Sequence, residues 1–312
     1  GFSGERVKVL TDGIGAIDAS NTSDDHAVTL DPLTAERIEV LRGANSVAWG
    51  SQALGGVINV VTNRPTEDPE LFAQGEYGAN DTLRLVSNAS GKFGPGGLSI
   101  GGGYVKTDGI STFSGGTEVD GYRQYSANSL LSLDIADNIR FEASGYYTDS
   151  RVDNDNVFPP FSADSTQFSL TEEFYGNVSL LADALDGRFR NRFAFSIADI
   201  NRDITSPTFT SMPRGRTERF EYRGDFEVVD NLRFVFGTEL EDSSYENAGV
   251  SDSTGIDSLF VQAIAKPVGG LTVTGGVRHD EHDDFGGNTS WAGNLAYNIS
   301  ENGPVLRAAY AE

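Results

Sequence analysis

Leu232-Arg233-Phe234-Val235-Phe236-Gly237-Thr238-Glu239-Leu240 decides how this chain folds. In an extended backbone, successive side chains point to opposite faces. Leu232, Phe234, Phe236, Thr238 and Leu240 then share one face, and Arg233, Val235, Gly237 and Glu239 share the other. A helix would scatter both sets around its circumference. The stretch therefore predicts a strand with one greasy face and one face that tolerates charge.

The same alternation recurs on the N-terminal side. Phe189, Phe193, Phe195 and Ile197 oppose Arg190, Arg192, Ala194 and Ser196. Ile139, Phe141, Ala143, Gly145 and Tyr147 oppose Arg140, Glu142, Ser144 and Tyr146. From Leu71 onward we count about thirteen such strands. Their connections alternate in length. Tight turns are read near residues 94–97, 134–138, 184–188, 229–231, 267–270 and 300–304. Between them lie longer polar stretches at 107–121, 150–167, 201–216, 243–255 and 281–288, with only the Asn80-Asp81 turn short. Short turns at one end and long loops at the other mark an outer-membrane β-barrel, with the long loops outside the cell. A soluble sandwich or secreted adhesin is the competing reading, but it rarely meanders so regularly with such long strands.

Bulk composition agrees. Hydrophobic residues are 38% of 312, mean hydropathy is −0.31, and the apolar run from Val47 to Val61 is broken by Ser51, Gln52 and Asn59. No segment suits a membrane-spanning helix, which needs about 20 apolar residues. The net charge of −23 excludes nucleic acid as a partner because phosphate binding requires clustered Lys and Arg. With no cysteine, disulfides, zinc thiolates and thiol catalysis are excluded. No signal peptide opens the chain, so for an exported protein the reading expects a missing N-terminus.

Residues 1–66 follow a different grammar. Short apolar strands at Val7-Lys8-Val9-Leu10 and Val57-Ile58-Asn59-Val60-Val61 are separated by turns such as Asp12-Gly13. Asp31-Pro32-Leu33-Thr34 reads as a helix start. Ser46-Val47-Ala48-Trp49 can form one helical turn stopped by Gly50, and Ile38, Val40 and Leu41 are expected to be buried. Pro65-Thr66-Glu67-Asp68-Pro69 is a linker.

Three runs in this segment carry a resemblance. Glu36-Arg37-Ile38-Glu39-Val40-Leu41-Arg42-Gly43, then Ser46-Val47-Ala48-Trp49-Gly50-Ser51, then Ala53-Leu54-Gly55-Gly56-Val57-Ile58-Asn59-Val60-Val61-Thr62, resemble the C-terminal half of the plug of TonB-dependent outer-membrane receptors. One departure is Ala44, where the family usually carries proline. Arg278-His279-Asp280-Glu281-His282-Asp283-Asp284-Phe285-Gly286-Gly287 and Leu306-Arg307-Ala308-Ala309-Tyr310 are similar to a strand–loop–strand of the cobalamin-receptor subgroup. The fold class expected is all-β: a partial transmembrane antiparallel barrel, about 13 of 22 strands, with the C-terminal part of a small α+β plug. Residues 1–66 would be plug and 67–312 barrel, a fragment cut at both ends and lacking the TonB-contacting segment.

The resemblance implies active import of a scarce nutrient across the Gram-negative outer membrane, gated by plug movement. Cobalamin is the favoured ligand, and a ferric siderophore or another metal chelate is the alternative. A passive porin-like channel or a surface adhesin is the rival from another class. Implied partners are outer-membrane lipid and lipopolysaccharide, the TonB complex and the ligand. By family position the substrate contacts would be Ile14, Asp18, Ser46, Val47, Ala48 and Trp49. Phe158 and Phe161 add an aromatic loop patch. The plug motif proper is Glu36, Arg37, Glu39, Arg42, Gly43, Gly55 and Gly56, and its charges suit a partly hydrated seat inside a barrel.

No catalytic set is present: there are three histidines, none placed with a Ser or Cys nucleophile, and no phosphate-binding glycine loop. We read the chain as a non-enzyme. His279, His282 and Asp283 could meet at a transition metal only if the chain from Glu281 onward were loop. Calcium is the better cofactor candidate. Asp108, Glu118 and Asp120 lie in one predicted outer loop and Asp153 and Asp155 in the next, and hard oxygen ligands are what calcium requires.

Overall fold

The computed structural model describes residues 7–15, 35–42, 46–50, 53, 55–111, 113, 114, 116, 118–156, 163–300 and 303–311. They form two sheets. The smaller holds β1 (Val7–Thr11), β2 (Ile14–Gly15), β3 (Ala35–Arg42) and β4 (Gly56–Thr62) in the order β2-β1-β4-β3. β1 and β4 run parallel, while β2 and β3 pair antiparallel to them. One helical turn, α1 (Ser46–Trp49), lies between β3 and β4. Gly50 ends it at φ +86°, a conformation that L side chains rarely adopt.

The larger sheet is an antiparallel meander. Its strands are β5 (Glu70–Gly78), β6 (Thr82–Phe93), β7 (Gly96–Ile110), β8 (Asp120–Ala136), β9 (Ile139–Asn156), β10 (Ala163–Ala184) and β11 (Phe189–Thr205). After the two-residue β12 (Thr210–Ser211), which pairs only with β11, come β13 (Arg214–Val229), β14 (Leu232–Asn247), β15 (Val250–Ala265), β16 (Leu271–His282), β17 (Gly286–Asn298) and β18 (Val305–Ala311). Apart from β12, every strand pairs with its sequence neighbours, and β5 and β18 are the two edges. Among the described residues no helix is long and apolar enough to cross a membrane. Strands do that work in a barrel.

Period two sorts each strand's side chains. In β10, Leu170, Phe174, Val178 and Leu180 are exposed, whereas Thr171, Glu173, Tyr175, Asn177 and Ser179 are buried. Register carries this across the sheet: Val178 faces Phe195, Phe195 faces Phe220, and Phe220 faces Leu240. The outer surface is thus an apolar band. The inner face carries Asn128, Thr148, Glu173, Arg202, Glu239 and Arg278, and the small sheet sits against it.

Two expectations are corrected. The polar stretches at 150–167 and 243–255 are mostly ladder rather than loop. β14 and β15 stay paired out to Asn247 and Val250 and turn on Ala248 and Gly249 alone. Ala248 sits at φ 52°, where turn rules expect Asn, Asp or Gly, so the hairpin left no clear sign in the sequence. Backbone pairing does not need apolar side chains, so polar extensions stay in register beyond the greasy band. The second correction concerns β3. Ile38, Val40 and Leu41 are 50%, 57% and 45% exposed. β3 is the edge of the small sheet and pairs only with β4. Among the described residues no barrel strand packs extensively against it.

Candidate functional site: the seat of the small sheet

Three contacts fix the small sheet to the inner wall. Ile14 is buried in a cluster with Tyr146, Tyr175, Ala198 and Ile200. Val47, from α1, is buried with Val235, Phe260 and Ala292. Gly276 makes room for it, because a Cβ there would lie 2.8 Å from Val47 Cγ1. The linker supplies the third, with Arg64 3.5 Å from the inner-wall Glu142. Pro65 also lies where a Cβ on Gly97 would come within 2.7 Å of its ring.

Between these anchors is a charged seam. Arg278, on β16, donates to Glu239 at 2.8 Å and to Asp280 at 2.7 Å. Ser258 donates to the same Asp280 oxygen at 2.6 Å. Arg219 pairs with Glu241. Against this wall lies Lys8 of β1, 5% exposed, donating to the Trp49 carbonyl at 2.6 Å. Burial, then the neighbouring Arg219, pulls the Lys8 ammonium down to about 8 despite the opposing pull of Glu239 and Glu241. The groups line a cavity of about 210 Å³ that His282 and Phe285 approach from the long-connection end. Such an arrangement can seat the small sheet against the wall through charge and hydrogen bonds.

The motif residues behave unevenly. Arg37 bonds Glu36 at 3.0 Å and Glu39 at 2.9 Å on the exposed face of β3. Asn59 donates to Glu39 at 3.0 Å, and the Arg64 amide donates to Glu36 at 3.1 Å. These charges therefore tie the small sheet to itself and to the linker rather than to the wall. Arg42 ends β3 at Gly56, which opens β4, and Gly55 immediately precedes it. Asp12 accepts from the Thr62 amide at 2.9 Å and hydroxyl at 2.7 Å. Burial pushes its carboxyl up against those two bonds.

Of the expected substrate contacts, Ile14 and Val47 are 5% and 1% exposed. Both are engaged in packing against the wall. Ala48 and Trp49 are half-buried, and the Arg223 guanidinium lies 5.6 Å from the centre of the Trp49 ring. Asp18, Gly43, Phe158, Phe161, the Asp31 helix start and the side chains of Arg42 and Ser46 lie outside the described residues.

Among the metal candidates, Glu118, Asp120 and Asp155 come together, with one carboxylate oxygen of each within 4.8 Å of the others. Asp155 is buried and accepts from the Phe113 amide at 2.7 Å and the Ser165 amide at 2.9 Å. Its Oδ2 also accepts from the Ser111 hydroxyl at 3.4 Å, and the three carboxylates offer the hard oxygen donors that calcium takes. Asp108 and Asp153 are drawn elsewhere, to Lys106 at 3.2 Å and Arg151 at 2.8 Å. Sequence proximity could not separate these two from the other three. The His279–Asp284 segment does not converge: His279 contacts Thr289 at 2.8 Å, His282 accepts from the Asp284 amide at 3.1 Å, and Asp283 accepts from Gly255 at 2.8 Å. β16 continues through His282, and the alternation of a strand sends neighbouring ligands to opposite faces. Sequence reasoning missed Lys8, Arg219, Glu239 and Arg278. The one available sign was a lysine in an otherwise apolar strand.

The chain matches the family described as TonB-dependent Receptor Plug Domain over residues 1–57. It matches the TonB dependent receptor-like, beta-barrel family over residues 51–312. It is 26% identical over 314 residues to the vitamin B12 transporter BtuB of Photobacterium profundum, covering 96% of this chain and 49% of that protein. It superposes on the siderophore receptor PirA from Acinetobacter baumannii with a TM-score of 0.80 at 15% identity, covering 99% of this chain and 53% of that one. The copper transporter OprC gives 0.79 at 14%, covering 99% and 55%. These two likenesses establish the fold alone. The chain spans about half the length of the curated relatives it matches.

Proposed function

Since the chain belongs to the TonB-dependent receptor family, which is one of transporters and receptors and not of enzymes, we propose that it serves active import of cobalamin across the Gram-negative outer membrane. Residues 1–66 are the plug part in this reading, and 67–312 belong to the barrel. The observation that carries it is the small sheet seated by Ile14, Val47 and Arg64 on the inner face of a sheet whose outer face is apolar. A porin-like channel would not need such a seat, and an adhesin would not need the greasy band. TonB would supply the pull that unseats the plug, and lipid and lipopolysaccharide would surround the outer face. Among the described residues, Ala48 and Trp49 are the half-buried plug candidates for ligand contact.

Cobalamin is favoured by the likeness to BtuB, which matches along nearly the whole chain. A ferric siderophore or another metal chelate is the second reading, supported by the fold shared with PirA and OprC. Uptake of radiolabelled cobalamin by cells carrying the full-length protein tests the choice. TonB-dependent accumulation supports it, whereas accumulation of a ferric chelate alone replaces it with the second reading. Glu118, Asp120 and Asp155 would hold calcium and so tie the β7–β8 connection to the outer end of β9.

A further inference from the structure

We infer that Lys8 is a built-in weakness of the plug seat: a buried ammonium that lowers the work needed to lift β1 off the barrel wall. The inference rests on the reading that the plug moves. Its basis is geometric. Lys8 is 5% exposed, yet among the described residues the only hydrogen bond of its ammonium runs to the Trp49 carbonyl of α1, on its own side of the seat. An ammonium has three donors, so two are left without an acceptor among those residues.

The wall offers carboxylates, but they are engaged. Glu239 is held by Arg278, Glu241 by Arg219, and Asp280 by Arg278 and Ser258. Among the described residues no carboxylate forms an ion pair with Lys8. The facing groups are therefore two arginines and three acids already paired among themselves, with His282 further along the cavity. Burying a charge without a direct partner is costly. A methionine or leucine at this position in β1 would fill the same space at no such cost. The α1 stop lies beside both cations: a Cβ on Gly50 would be in ordinary contact with Lys8 Nζ at 3.7 Å and Arg278 Nη2 at 3.6 Å.

Seating should depend on pH in one direction. The Lys8 ammonium, lowered to about 8 when seated, recovers the ordinary lysine value when the plug leaves the wall. Seating is weakest below pH 8, where both forms are charged. It strengthens as pH rises from about 8 towards 10.5, because the seated form sheds its proton first.

The test is hydrogen exchange of the β1 amides, Val7–Thr11, in the full-length protein in lipid. Lys8→Met at pH 7 should protect these amides about tenfold or more over the parent. The parent should gain comparable protection between pH 7 and pH 10 after correction for intrinsic exchange, and Lys8→Met should gain little. Lower protection in Lys8→Met would overturn the inference and make Lys8 a clamp, and equal protection would make it a bystander. If Lys8→Met fails to fold, the parent's pH dependence decides alone: flat protection sinks the proposal. Neither measurement involves import, so failure of the transport reading would show separately as an absence of uptake by the parent.

Discussion

Arg278 of β16 reaches Glu239 of β14 at 2.8 Å, passing over the intervening strand β15. One guanidinium thereby spans three strands of the inner wall, with both side chains almost fully buried. This pair, and not the plug motif, forms the floor on which Lys8 rests.

Removing one partner should be far worse than removing both. Arg278→Ala leaves Glu239 buried without its ion-pair partner and Asp280 with only its Ser258 bond, and should cost about 3 kcal/mol or more. Arg278→Met with Glu239→Leu should cost much less. Urea titration of the refolded full-length protein in vesicles checks the contrast, and equal losses would contradict it.

Phe195 lies mid-strand on the outer face and faces Phe220 across the pair β11–β13. Phe195→Arg should cost about 2–4 kcal/mol if this level sits at the bilayer midplane. Heat-modifiable gel mobility after folding into vesicles reads it out. A variant that folds as well as the parent would remove the lipid-facing assignment.

Gly276 and Val47 should behave as a coupled pair. Gly276→Ala puts a Cβ 2.8 Å from Val47 Cγ1 and 3.0 Å from the Val261 carbonyl, so α1 should be pushed from the wall. Adding Val47→Ala should restore part of the lost seating. Proteolytic sensitivity of the plug, compared across the four proteins of the double-mutant cycle, measures the coupling. Strict additivity would mean that the contact does not hold the seat.

For calcium, Asp120→Asn with Asp155→Asn should abolish binding or weaken it about tenfold or more. Asp153→Ala should leave it unchanged, because Asp153 belongs to Arg151. Calorimetric titration of the full-length protein distinguishes these outcomes. Equal binding by the parent and the double variant would end the assignment.

Ala248 carries a local conformational penalty at the tip of the β14–β15 ribbon. Ala248→Gly should relieve about 1 kcal/mol and slow exchange of the amides flanking the turn. Faster exchange would show that the penalty is already offset elsewhere.

What could be read from the chain follows from locality. Alternation in Leu232–Leu240 fixed strand, face and meander, because a side chain's face depends only on its own residue number along a strand. The helical turn at Ser46–Trp49 and its glycine stop were legible for the same reason. Polar ladder beyond the greasy band was not legible, since backbone pairing leaves no mark on side-chain chemistry. The turn at Ala248 was hidden because its residue type argues against its conformation.

The site was legible only in part, because its members meet through register and docking. Glu118, Asp120 and Asp155 were in view together with Asp108 and Asp153. Only cross-strand placement decided which three converge and which two are taken by Lys106 and Arg151. The sequence by itself determined an antiparallel barrel sheet with a plug segment, through periodicity and a local motif. The tertiary structure alone decided that Ile14 and Val47 are anchors and that Lys8 faces Arg219 and Arg278 beside carboxylates already engaged. The reason is physical: a charge's environment is set by neighbours far away in the chain, and burial becomes known only once the two sheets are packed.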